Sequence, residues 1–150
     1  MIIKTKNEQE TQKFGQKFAR SLKGGEIIGL SGELGGGKTT FVKGLAKGLG
    51  IKETVTSPTF ALIKDYGKLI HIDLYRLLKK TEIGSLGLSD YLGQKDKICV
   101  IEWAEKIKDM LEKMPAKVIW LEFEYIDENI RKIKIKTKKE KPKGKYDFSH

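Results

Sequence analysis

Lys38 and Thr39 close the stretch Gly32-Glu33-Leu34-Gly35-Gly36-Gly37-Lys38-Thr39, which fits the spacing G-x-x-x-x-G-K-[ST]. Each residue type in it answers a demand of phosphate chemistry. Glycines let the backbone curl until successive N–H groups point inward at phosphate oxygens. A helix starting at the lysine adds its unpaired N-terminal N–H groups and the positive end of its dipole. The Lys38 ammonium is a point charge for the β- and γ-phosphates, and the Thr39 hydroxyl is a hard oxygen ligand for Mg²⁺. The loop therefore predicts a bound nucleoside triphosphate with Mg²⁺.

Such a loop needs a partner carboxylate for the metal. Two apolar runs end in an acid: Leu69-Ile70-His71-Ile72 precedes Asp73, and Ile98-Cys99-Val100-Ile101 precedes Glu102. Carboxylates at the C-terminal ends of strands face the crevice where α/β proteins bind ligands. Either acid could ligate Mg²⁺ while the other orients the attacking water, and the residues alone leave that division open. His71 shares strand parity with Asp73 and reads as a hydrogen-bonded structural histidine. Cys99 reads as inert core. Trp103 reads as core packing at least as readily as a contact to nucleotide or partner. Asp90-Tyr91-Leu92-Gly93 has the form D-x-x-G but no apolar strand before it. No N-K-x-D motif occurs, which favours ATP over GTP.

Elements able to hold these groups are legible in the hydropathy pattern. Phe14, Phe18 and Leu22 recur at helical spacing, so residues 8–23 predict an amphipathic helix ended by Gly24-Gly25. Ile27-Ile28-Gly29-Leu30 suits a buried strand. Phe41, Val42, Leu45, Ala46 and Leu49 form one face of a helix after the glycine loop, with Gly50 at its C-terminal end. Further strands are expected at 58–66, 68–74, 97–102, 117–126 and 130–138, and helices around 80–92 and 103–113. The strands on either side of Gly67 most simply form an antiparallel hairpin. The fold class is therefore α/β, a P-loop NTPase-like three-layer fold with a mixed sheet flanked by helices. In the last strand, Arg131 shares parity with Ile133 and Ile135 and points away from Lys132, Lys134, Lys136 and Lys138.

A chain of 150 residues favours one domain with a sizeable core. No apolar run approaches the roughly 20 residues of a membrane-spanning helix, and the first residues lack a signal-peptide apolar region. One cysteine excludes an internal disulfide framework and a cysteine-based zinc cluster. A cytoplasmic protein without a membrane partner is expected. The net charge of +10 is concentrated beyond residue 130, where nine basic groups face Glu140 and Asp147. The expected division is a P-loop ATPase domain over 1–137 and a basic, mobile tail over 138–150, either solvated or in contact with RNA or an acidic partner.

In four ordered motifs the sequence resembles the TsaE (YjeE) family of bacterial P-loop ATPases that serve threonylcarbamoyladenosine formation in tRNA. They are Gly32 to Phe41, Thr56-Ser57-Pro58-Thr59-Phe60, His71-Ile72-Asp73-Leu74-Tyr75-Arg76-Leu77 and Glu102-Trp103-Ala104-Glu105. The resemblance runs from about Thr11 to Arg131. It implies that Thr11 and Arg131 contact the nucleotide, that Gly35, Gly36, Gly37, Lys38, Thr39 and Thr40 form the phosphate loop, and that Thr39 and Glu102 are metal-site positions. Asp73 matches the family's Walker B-like acid, and Ser57 to Phe60 match a switch-like loop. Gly36 stands where the family usually has Ala, and Ala104 where Pro is usual. The implied activity is weak Mg²⁺-dependent ATP hydrolysis raised by TsaD-like and TsaB-like partners, which perform the transfer to tRNA. A small-molecule kinase and a nucleotide-bound RNA-binding module are the competing readings.

Overall fold

The computed structural model describes residues 1–33, 37–56, 62–76 and 86–138. Seven strands form one sheet: β1 (Ile2–Thr5), β2 (Ile27–Gly32), β3 (Ile63–Asp65), β4 (Leu69–Asp73), β5 (Ile98–Glu102), β6 (Val118–Tyr125) and β7 (Arg131–Lys138). Their order across the sheet is β1-β7-β6-β2-β5-β4-β3. The four central strands are parallel, and β1, β7 and β3 join them antiparallel. The mixed sheet expected from the sequence is thus present, including the β3–β4 hairpin around Gly67.

Three α-helices are described: α1 (Glu8–Ala19), α2 (Lys38–Gly48) and α3 (Lys108–Lys113). Strand parity sorts the core into two layers. Ile28 and Leu30 of β2 pack with Phe41, Val42 and Leu45 of α2 on one face. Ile27 packs on the other face with Ile70, Ile72, Ile107 and Leu111. Every apolar residue expected on the face of α2 is buried except Leu49, which packs against the same cluster.

Several expectations need correction. Helix α1 stops at Ala19, not near residue 23, because the N–H groups of Ser21 and Leu22 tighten onto the Phe18 and Ala19 carbonyls. The buried Glu26 carboxylate then accepts from the N–H groups of Lys23 and Gly24 and closes the turn. Strand β1 was not expected. Its four residues are too short to read alone and acquire a partner only from β7, register Thr5 opposite Arg131. The region 103–113 divides into a 3₁₀ turn at Ala104–Ile107 and the short α3. Of the expected helix around 80–92, residues 80–85 lie outside the described residues, and the remainder contains one 3₁₀ turn at Leu88–Asp90. Residues 57–61, which include the whole switch-like loop and the start of the expected strand 58–66, also lie outside them. So do residues 139–150. Among the described residues, no helix is long and apolar enough to cross a membrane.

Helices α1 and α2 pack backbone to backbone. A Cβ on Gly44 would collide with the Gln12 carbonyl oxygen, and one on Gly15 with the Phe41 carbonyl oxygen. This close approach seats α2, and with it Lys38, over the end of β2. Gly44→Ala should lower stability by about 1–3 kcal/mol through overpacking, although Ala is intrinsically favoured over Gly inside a helix by roughly 1 kcal/mol. Exposed Lys43→Ala should stay within about 0.5 kcal/mol. Urea denaturation of the two variants checks this, and a stabilised Gly44→Ala would contradict the packing.

Candidate functional site

The glycine loop leaves β2 at Gly32, whose φ of 123° and contact with the Phe123 backbone admit no side chain. It re-enters described structure at Gly37, which has a φ of 97° and precedes the first residue of α2. Gly35 and Gly36 lie between them, outside the described residues. The order strand, glycine loop, helix is the arrangement that turns backbone N–H groups toward an anion. A cleft of about 640 Å³ opens over this helix N-terminus. Lys38, Thr39 and Thr40 form its floor, and the remaining candidates flank them.

On one flank are Asp73 and Glu102, which sit directly opposite each other in the β4–β5 register. Glu102 is 3% exposed, and both of its oxygens are engaged. Oε1 accepts from the Thr39 hydroxyl at 3.0 Å, and Oε2 lies 2.6 Å from His71 Nε2. Asp73 is half-buried, and its Oδ1 accepts from the Tyr75 N–H at 2.9 Å, so it caps its own turn while facing the cleft. On the other flank are Thr11 and Arg131. A Cβ on Gly37 would stand 3.5 Å from Arg131 Cγ and 3.7 Å from Thr11 Cγ2, so both converge on the loop. The Thr11 hydroxyl is committed to Thr5 Oγ1 at 2.7 Å, which leaves its methyl for the cleft. The Arg131 guanidinium curls back onto the Asp127 and Ile130 carbonyls and lies 4.6 Å from the Tyr125 ring.

Lys38 is folded inward. Its Nζ donates to the Gly32 carbonyl at 2.5 Å and the Glu33 carbonyl at 3.3 Å, and sits 3.6 Å from the centre of the Trp103 ring. Burial pushes its pKa below the usual lysine value, and the negative charges of Glu105, Glu102 and Asp73 oppose that shift. Trp103 has a φ of 61°, a left-handed setting that costs a non-glycine residue about 1 kcal/mol or more. Its ring also stacks on the exposed Tyr75 at 5.2 Å. Trp103 packs against the core layer that holds Ile70 and Ile72, as the core reading expects, and its half-buried ring also covers the lysine. The signal for the second role was its place directly after the strand-end acid.

His71 departs from the sequence reading in one respect. It is fully buried, yet its Nδ1 has no hydrogen-bond partner among the described residues. Cys99 behaves as expected: it is buried, and burial pushes its thiol pKa far above the ordinary range. Asp90 of the D-x-x-G match sits in the Leu88–Asp90 turn on the opposite layer.

The donor set suits Mg²⁺. Among the described residues no group of three or more His, Cys, Asp or Glu could cage a metal. One threonine hydroxyl with one or two carboxylates is what remains, and Mg²⁺ characteristically takes few protein ligands and completes its shell with water and substrate phosphates. The groups present therefore fit a metal that arrives with a nucleotide.

The parallel core, the glycine loop between β2 and α2, and the acids at the ends of β4 and β5 define a P-loop NTPase-like α/β protein. The chain belongs to the TsaE family: residues 5–137 match the family model described as threonylcarbamoyl adenosine biosynthesis protein TsaE. It is 44% identical to the tRNA threonylcarbamoyladenosine biosynthesis protein TsaE of Aquifex aeolicus, over 88% of this chain and 92% of that protein. The protein of the same description from Bacillus subtilis is 39% identical over 77% of this chain and 74% of its own. A crystal structure of Bacillus subtilis YdiB superposes with a TM-score of 0.69 at 32% identity, covering 91% of this chain and 84% of that one.

Trp103 and Trp120 are the two tryptophans, so Trp120→Phe leaves Trp103 as the sole reporter. In that background, ADP with Mg²⁺ should shift Trp103 emission as phosphate draws Lys38 off the ring. Lys38→Ala should shift the nucleotide-free emission in the same direction and remove most of the ADP response. An ADP response of undiminished size without Lys38 would contradict the contact.

Proposed function

We propose that the chain is a Mg²⁺-dependent ATPase subunit that acts with TsaD-like and TsaB-like proteins in threonylcarbamoyl modification of the tRNA adenosine next to the anticodon. The observation that carries this reading is the hydrogen bond from Thr39 to Glu102, which joins the end of the phosphate loop to a strand-end carboxylate across the cleft floor. The relatives' printed role in tRNA threonylcarbamoyladenosine biosynthesis supports the setting.

In this reading Gly35, Gly36, Gly37 and Thr40 present the loop backbone to the phosphates, and Lys38 leaves its carbonyl contacts to neutralise the β- and γ-oxygens. Thr11 and Arg131 border the nucleoside end. Thr39 and Glu102 hold Mg²⁺, which offsets phosphate charge when bound. Asp73 orients the attacking water or shares the metal. Water adds to the γ-phosphorus as the bond to the β-phosphate oxygen breaks, giving ADP and inorganic phosphate. Transfer of the threonylcarbamoyl group belongs to the partners, and tRNA is met through the complex. Weak hydrolysis alone is expected from a cleft whose lysine is held on carbonyls and an aromatic ring.

Reconstitution checks the reading. The chain alone should hydrolyse ATP slowly with Mg²⁺, and the TsaD–TsaB pair should raise the rate severalfold. Lys38→Ala should lower the stimulated rate by about 10²-fold or more, the scale for losing one preorganised charge stabiliser. A Lys38→Ala protein that supports multiple rounds of modification as well as wild type would overturn it.

A further inference from the structure

A fully buried imidazole, His71, stands behind the candidate metal site. His71 lies on the α2-facing side of β4, in line with Leu69 and Asp73. It is opposite Val100 in the β4–β5 register, so Glu102 is its diagonal neighbour on the same face. His71 Nε2 meets Glu102 Oε2 at 2.6 Å, with side-chain exposures of 0% and 4%. Nδ1 has no partner.

That pattern restricts the tautomer. If Nδ1 carried the proton, a buried N–H donor would be orphaned, the rarer and costlier kind of unsatisfied group. Nε2 would also present a lone pair to a carboxylate unless Glu102 were itself protonated. The arrangement with one unmet need is Nε2–H donating to Glu102, with only an acceptor lone pair left over at Nδ1. An apolar residue at 71 would avoid that leftover, at the expense of a buried carboxylate oxygen without a donor.

We propose that His71 is a positioning residue for the metal-site carboxylate. Its Nε2–H fixes Glu102 through Oε2, so that Oε1 engages the Thr39 hydroxyl proton and the Thr39 oxygen lone pairs are left facing the cleft. The proposal rests on the Mg²⁺–nucleotide reading above and extends it one layer into the core. A ligand whose own partner is removed characteristically loses about 10–100-fold in metal affinity, whereas a group that merely fills space changes stability alone.

The test separates these roles with Mn²⁺ as a paramagnetic probe. Electron paramagnetic resonance titration measures Mn²⁺ affinity of the protein–ADP complex for wild type, His71→Met and His71→Gln, alongside metal-free ADP binding and melting temperature. His71→Met, similar in bulk but without a donor, should weaken Mn²⁺ by about tenfold or more while metal-free ADP affinity stays within about twofold. His71→Gln, whose amide can replace the Nε2 donor, should recover most of the loss. A folded His71→Met with wild-type Mn²⁺ affinity and only a lower melting temperature would overturn the proposal and leave the nucleotide reading intact. A wild type that takes up no Mn²⁺ with ADP would overturn both. If His71→Met does not fold, ¹⁵N NMR of the wild type decides, since His71 and His150 are the only histidines. The Nε2–H tautomer with resonances that move on Mn²⁺-free Mg²⁺–ADP loading supports the proposal. The Nδ1–H tautomer, or resonances indifferent to the metal, refutes it.

Discussion

A carboxylate buried at the end of a central strand cannot be left without donors, and much of the site follows from that constraint. Leaving a buried acceptor without one of its donors costs about 1–3 kcal/mol, and more where the group is charged. Glu102 therefore recruits one hydrogen bond from α2 through Thr39 and one from β4 through His71. The two bonds tie the first turn of α2 and the neighbouring strand to β5 at the point where the phosphate loop must sit. The glycine contacts between α1 and α2 act on the same geometry from behind, because they set how deeply α2 lies on the sheet.

The loop lysine shows the complementary constraint. Its charge is held by two backbone carbonyls and the face of Trp103, and burial opposes that charge. Each of these contacts is weaker compensation than a phosphate oxygen would be. Trp103 is kept over it in a strained backbone conformation and is stacked on a partly exposed tyrosine at the rim.

The central strands, the helix after the glycine-rich stretch and both strand-end acids were legible because each is announced locally. Apolar runs mark β2, β4 and β5, a glycine-rich spacing marks the loop, and an acid follows the run at Asp73 and Glu102. The strand parity of Arg131 was legible for the same reason, since Ile133 on its side of β7 is buried. What escaped was nonlocal. Strand β1 exists only through its pairing with β7, and the end of α1 depends on Glu26, seven residues beyond it. The link between His71 and Glu102 needs the β4–β5 register, which no spacing along the chain supplies. Trp103 could be read as core from its composition, and only the inward fold of Lys38 shows it as a cover for charge.

On the proposed function, the cleft over Lys38 and Thr39 takes a Mg²⁺-bound triphosphate. A crystal structure of the chain with Mg²⁺ and a non-hydrolysable ATP analogue tests it most directly. The expected result is phosphates seated on the glycine loop, Lys38 Nζ moved from the Gly32 and Glu33 carbonyls onto phosphate oxygens, and Mg²⁺ ligated by the Thr39 hydroxyl beside Glu102. An analogue bound elsewhere, or bound here with Lys38 still on its carbonyls and the metal away from Thr39, would contradict it.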